Sequence, residues 1–238
     1  MKDQRMFNCL FQKTEDSFKL FINDSIRRGK DWDGNCSETS ASYFAEKLAE
    51  IPEGSTLEIH INSEGGDAFE GTAIYNLLKG APIHKVGIVD GRAFSAATFI
   101  LMACDERIMN TGTTLLVHNA WTFAMGNADE LRAVADDLDK LMEANRKIFL
   151  ERGCTLSEEE LMALMKEERL LTPKEAKEYG FVDSIPEDDD DPEPEPSPEP
   201  EPTPEPAPEP EPKAKNPGAP TMRADRAIVA ERYFRQFF

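Results

Sequence analysis

Residues 186–212 hold twelve of the chain's 17 prolines, twelve acidic residues and no basic one. Proline at every second position removes backbone donors and fixes φ, so neither a helix nor a central strand can form there. Repulsion between like charges extends the stretch further. The expectation is a stiff, disordered, polyproline-II-like spacer reaching tens of ångströms at about 3.1 Å per residue. The spacer divides the chain into a folded body at 1–185, the acidic linker at 186–212 and a tail at 213–238. The tail reverses sign, with six Lys or Arg against two acidic residues, and its Ile228, Val229, Tyr233, Phe234, Phe237 and Phe238 suggest a short basic-aromatic helix. Such an end reads either as a frayed terminus or as a docking peptide held out on a linker.

The net charge is −19, of which −11 falls on the body. That charge repels phosphate backbones and anionic lipid, so neither nucleic-acid nor membrane partners are expected. No apolar run approaches the ~18–20 residues that span a bilayer. Met1-Lys2-Asp3-Gln4-Arg5 is followed by no signal-peptide apolar core. Cys9, Cys36, Cys104 and Cys154 are scattered without a CxxC pair. This argues against a zinc site and for a reducing, cytoplasmic compartment.

Within the body, strand and helix patterns alternate. Leu57 to Asn62 has the period of two of a strand, and Phe18 to Ile22 and His84 to Val89 read as strands as well. Asp67 to Lys79 and Ser37 to Glu50 read as helices, as does the apolar run from Ser95 to Ala103. Asp90 to Phe94 reads as a turn, Arg107 to Met109 and Thr113 to His118 as short strands, Ala128 to Arg152 as a long amphipathic helix, and Pro173 to Tyr179 as a closing helix. Repeated β-α units with short crossovers predict an α/β fold with a mainly parallel sheet. No GxxxxGK[ST] phosphate loop is present, so any activity should not depend on ATP bound to this chain.

Three segments could carry chemistry. Ser95 sits where a strand pattern passes into a helix, near unpaired N–H groups that can hold an oxyanion, although an N-cap serine is common there. Gly65-Gly66 lies between a strand and a helix, where it could aim backbone donors at a ligand or simply make a tight turn. His118 ends a strand and could serve as a base toward a serine, or be an ordinary surface histidine, as His60 and His84 are expected to be. A triad also needs an acid, and spacing alone does not choose one among so many.

These segments resemble a known family. Ile61-Asn62-Ser63-Glu64-Gly65-Gly66-Asp67, Gly91-Arg92-Ala93-Phe94-Ser95-Ala96, Leu116-Val117-His118-Asn119 and the stretch from Leu171 to Asp183 resemble, in order, four motifs of the ClpP-like serine peptidases. The resemblance covers roughly residues 15–185 and implies the ββα units shared by ClpP and the crotonases. It implies Ser95 as nucleophile, His118 as base, and the amides of Gly66 (beside Gly65) and Ala96 as oxyanion donors. The family's triad aspartate falls on Glu168, a departure, with Glu167 beside it as a competitor. Glu64 stands where proline is usual, and Asn119-Ala120 also departs from a proline-containing pattern. Tyr43 to Leu48 and Gly66 to Gly71 are closer to phage head-maturation (prohead) proteases, which implies scaffold or capsid protein as substrate.

The helix from Ala128 corresponds to the family's handle helix, so a homo-oligomer of stacked rings is expected, with Asn145 on its apolar side fixing register between partners. Neither a cofactor nor a metal is expected. The alternatives are a housekeeping-type Clp subunit working with an unfoldase, a crotonase-type acyl-CoA enzyme, an inactive adaptor of the same fold, or a Ser-Lys peptidase using Lys79 or Lys85.

Overall fold

The computed structural model describes residues 9–14, 17–29 and 37–186. The acidic linker and the basic-aromatic tail lie outside the described residues. Six strands form one sheet: β1 (Cys9–Lys13), β2 (Phe18–Ile22), β3 (Thr56–Ser63), β4 (His84–Phe94), β5 (Glu106–Met109) and β6 (Thr114–Leu116). The helices are α1 (Ala41–Leu48), α2 (Ala68–Gly80), α3 (Ala96–Met102), α4 (Ala128–Glu151), α5 (Glu158–Glu167) and α6 (Pro173–Glu178). The strand order is β1-β2-β3-β4-β5, with β6 also paired to β4. Only β1 runs antiparallel to its neighbour.

Strand β3 shows how the sequence makes this architecture. Leu57, Ile59, Ile61 and Ser63 turn inward, and Glu58, His60 and Asn62 face the other side. Leu57, Ile59 and Ile61 share a core with Val89 of β4, Ile74 and Leu78 of α2, and Ile100 and Leu101 of α3, all at most 1% exposed. Each such side chain contributes on the order of 1.5–3 kcal/mol of burial.

Strand β4 overturns one expectation. The turn predicted over Asp90 to Phe94 is a continuation of the strand, 11 residues in all. Its first half pairs β5 through Val86 to Val89, and its second half pairs β6 through Arg92 to Phe94. The strand diverges from β3 at a register shift between Ile61 and Ser63. The extra residues lie on β4, where Asp90, Gly91 and Arg92 oppose Asn62 alone, and a Cβ at Gly91 would lie 2.4 Å from Asn62 Oδ1, so glycine there makes room for the asparagine side chain. Periodicity alone could not tell this fork from a turn, because polar Asp90 and Arg92 interrupt the apolar run.

Two further elements were not anticipated: strand β1, and helix α5, which Ser157 and Glu160 open with a capping box. The end of the body is tied back to β5. Arg107, 8% exposed, makes a two-pronged pair with Asp183 and donates to the carbonyls of Arg152 and Gly180. No helix among the described residues is long and apolar enough to cross a membrane.

Candidate active site

Ser95 joins β4 to α3 as the N-cap of α3, with φ 53° and ψ −127°. A non-glycine residue at such dihedrals stores roughly 1–3 kcal/mol of backbone strain, held only by its surroundings. Those surroundings are identifiable. Ser95 N–H donates to Leu116 O at 2.9 Å. Thr98 donates to Ser95 O from both N–H (2.9 Å) and Oγ1 (2.5 Å). The alternative of a plain capping serine is disfavoured, because its side chain makes no cap hydrogen bond. The hydroxyl is presented rather than spent on the helix.

The Gly65-Gly66 turn packs directly against this corner. At Gly65, with φ +85°, an added Cβ would fall 2.4 Å from Phe94 O, 2.7 Å from Ser95 Cβ and 2.8 Å from Ala96 N. Gly66, with φ +146°, faces Ile26, whose carbonyl oxygen would lie 2.2 Å from its Cβ. Ile26 N–H donates to Gly65 O, and Asp67 N–H donates to Ile26 O. Buried Ser63 holds the turn from beneath, accepting from Gly65 N–H and donating to Asp24 O. Among the described residues, neither the Gly66 nor the Ala96 N–H has an acceptor. Two unengaged donors beside a presented hydroxyl can stabilise a developing negative charge.

His118 lies just beyond β6 and lines the same crevice as Ser95. No hydrogen bond joins the two side chains, a common condition before substrate tightens such contacts. Burial pushes the His118 pKa below its ordinary value, and the charge of Glu168 pulls it back up. Glu168 ends α5 in the left-handed conformation, φ 55° and ψ 35°. Leu115 and Leu171 exchange hydrogen bonds of 3.0 and 2.8 Å, which fastens the Glu168 segment to the strand leading to His118. Glu167 instead pairs with Arg169 at 3.3 Å. Arg169 is further engaged by Glu175, whose pKa falls to about 2 through hydrogen bonds from Thr172 and Arg169.

Other anticipated groups are committed elsewhere. His60 pairs with Asp90 at 2.8 Å, and His84 pairs with Glu106 at 2.8 Å. Lys85 bonds Ile83 O and Asp105, and Lys79 pairs with Glu151; neither lysine lines the crevice. Glu64 forms an ion pair with Arg92, which offsets the carboxylate brought in where proline was expected. Asn145 requires a correction. It is 3% exposed and lines the crevice of its own chain, so it is not displayed on the helix surface for a partner. Sequence reasoning missed Ser63 and Thr98 as supports of the site. Ser63 carried a signal, being a polar residue at an inward position of β3.

Comparisons with known proteins agree with this architecture. The sequence model of the Clp protease family matches residues 32–189. ATP-dependent Clp protease proteolytic subunits from Deinococcus radiodurans and Chlorella vulgaris are 27% and 33% identical over 133 and 135 residues. Those matches take in 54% and 56% of this chain but 64% and 66% of the relatives, just under two thirds of their length. The Bacteroides fragilis subunit is 26% identical over 168 residues, 70% of this chain and 77% of its own. Among solved structures, a ClpP1 mutant from Listeria monocytogenes superposes with a TM-score of 0.59 at 22% identity, covering 70% of this chain and 90% of that one, a likeness of fold. With the family's sequence pattern running through most of the body, the chain belongs to the Clp protease family.

Proposed function

We propose that this protein is a serine endopeptidase with Ser95 as nucleophile, His118 as general base and Glu168 as the carboxylate that orients and stabilises the imidazolium. The observation that carries it is the strained, uncapped Ser95 sharing a crevice with a half-buried histidine whose charged form Glu168 favours. Ser95 Oγ attacks the scissile carbonyl carbon as its proton passes to His118. The amides of Gly66 and Ala96 receive the oxyanion. Collapse breaks the C–N bond, and the proton leaves on the amine. Water, deprotonated by His118, then cleaves the ester and restores the serine. The test is labelling by a fluorophosphonate together with cleavage of casein. Wild type should do both and Ser95→Ala neither; full activity of Ser95→Ala would rule out this nucleophile.

The finer reading is a head-maturation enzyme acting on scaffold or capsid protein in the cytoplasm, supported by the sequence character of Tyr43 to Leu48 and Gly66 to Gly71. The subunit works as a homo-oligomer of stacked rings. Supporting this, Trp121 and Met125 before α4 are 71% and 101% exposed, and Leu131 on its first turns is 44% exposed, an apolar strip suited to a second copy. Residues 186–212 serve as spacer and 221–238 as recruiting segment, a division supported by the abrupt change in proline content and charge. Deleting everything after Ile185 should spare peptide hydrolysis and slow cleavage of assembled substrate. Equal rates on both would remove the recruiting role.

A further inference from the structure

We infer that Thr98 is a positioning residue: its buried hydroxyl fixes the Ser95–Ala96 peptide unit and so aims the Ala96 N–H at the oxyanion. The inference rests on the serine-peptidase reading above. Every residue of α3 is buried, and Thr98, 1% exposed, carries the one side-chain hydrogen-bond donor among them. A buried hydroxyl has to find a partner. This one donates to Ser95 O at 2.5 Å, an oxygen that already accepts the Thr98 N–H at 2.9 Å.

The identity of the acceptor gives the bond its meaning. A peptide unit is planar and trans, so its oxygen and its N–H point in opposite directions. The N–H across from Ser95 O is that of Ala96. Holding the oxygen from behind therefore fixes where the N–H points. It also polarises the amide, which strengthens the N–H as a donor. The anchor opposes a definite motion. Ser95 sits at φ 53° and ψ −127°, and relaxing that strained ψ would rotate this same peptide plane and turn the N–H away. The second proposed donor is held alike: Ile26 N–H donates to Gly65 O at 2.7 Å, and the N–H across that peptide unit is the one of Gly66. In both units the oxygen is tied and the N–H is left without an acceptor among the described residues. Threonines often return their hydroxyl to the preceding turn, and Thr113 supplies a matched case. It is 4% exposed, and its Oγ1 and N–H donate to Asn110 O at 2.6 and 3.3 Å, a peptide unit with no proposed role.

The experiment uses the full chain, a fluorogenic peptide and a peptide aldehyde, whose hemiacetal with Ser95 would place an oxygen at the donors. Thr98→Val keeps the shape and deletes the hydroxyl; Thr98→Ser keeps the hydroxyl and deletes the methyl. Thr98→Val should lower kcat by about tenfold to a hundredfold with KM nearly unchanged, short of the roughly 10²–10³-fold that follows loss of a whole donor. Aldehyde inhibition should weaken by a similar factor. Thr98→Ser should stay close to wild type in both. Thr113→Val should shift the urea midpoint as Thr98→Val does and keep the wild-type kcat. Should Thr98→Val not fold, Thr98→Ala measured against Thr98→Ser carries the same expectation. Thr98 also lines the crevice, and a packing role there would invert the pattern, with Ser impaired and Val spared. That inversion overturns the inference, as does an equal loss of kcat in Thr113→Val. If wild type is labelled by a fluorophosphonate and cleaves the peptide, and Thr98→Val matches it in kcat and aldehyde inhibition, the role of Thr98 alone is lost. Wild type that neither labels nor cleaves sinks the serine-peptidase reading and this inference with it.

Discussion

Gly65→Ala offers a sharp test of how the site is assembled, because a matched control exists in the same chain. Gly65 and Gly54 have nearly equal φ, +85° and +79°. An alanine at either position carries the left-handed penalty of about 1–2 kcal/mol. The two differ in what the new methyl meets. At Gly54 nothing lies within 4 Å. At Gly65 three atoms of the nucleophile corner lie at 2.4–2.8 Å, two of them backbone. Contacts so short force a shift, and overpacking of this kind costs a further 1–3 kcal/mol or so. Gly54→Ala should therefore lose about 1–2 kcal/mol in urea denaturation, and Gly65→Ala about 2–5 kcal/mol. The displaced atoms include Ala96 N, a proposed oxyanion donor, and the Cβ that carries the proposed nucleophile. A displacement approaching 1 Å there costs on the order of a hundredfold in kcat/KM, whereas Gly54→Ala should hydrolyse peptides like wild type. Equal stability loss in the two variants, with full activity in Gly65→Ala, would refute the claim that this glycine exists to let the turn meet the serine corner.

Ser95→Gly should abolish hydrolysis yet raise stability by about 1–2 kcal/mol, since glycine tolerates the positive φ without strain; a loss of stability in urea denaturation would show that the corner is not strained. For the pH dependence, the base must be neutral. Because burial outweighs Glu168 and lowers the His118 pKa, the acid limb of kcat/KM should have its midpoint below the ordinary histidine value of about 6.5. Glu168→Gln removes the charge that favours imidazolium, so the limb should move to still lower pH while kcat falls by about 10²-fold or more. A limb that moves upward, or does not move, would exclude Glu168 as the partner.

Most of the fold was legible because β3 and the first half of β4, up to Val89, alternate and α2 carries Asp67 as a capping residue at its start. What escaped had physical causes. Strand β1 is a short edge strand whose partner, not its own pattern, defines it. Helix α5 is dominated by glutamates, so its three buried residues, Leu161, Leu164 and Met165, give a faint stripe. Ser95, His118 and the glycine turn were visible as residue types at strand ends, but only the family resemblance joined them. The choice between Glu167 and Glu168 depended on the left-handed end of α5, which sends neighbouring carboxylates to different partners. The contribution of α4 to the crevice, through Met142 and Asn145, is a long-range contact that periodicity cannot register.

The reciprocal bonds between Leu115 and Leu171 have a consequence for biosynthesis. Ser95, the glycine turn and His118 emerge from the ribosome well before the segment that carries the charge facing the imidazole. Until residue 171 can pair with its distant neighbour, the earlier part of the chain lacks that carboxylate at the histidine. A nascent chain would thus carry its histidine without that neighbouring charge until nearly the whole body has been made.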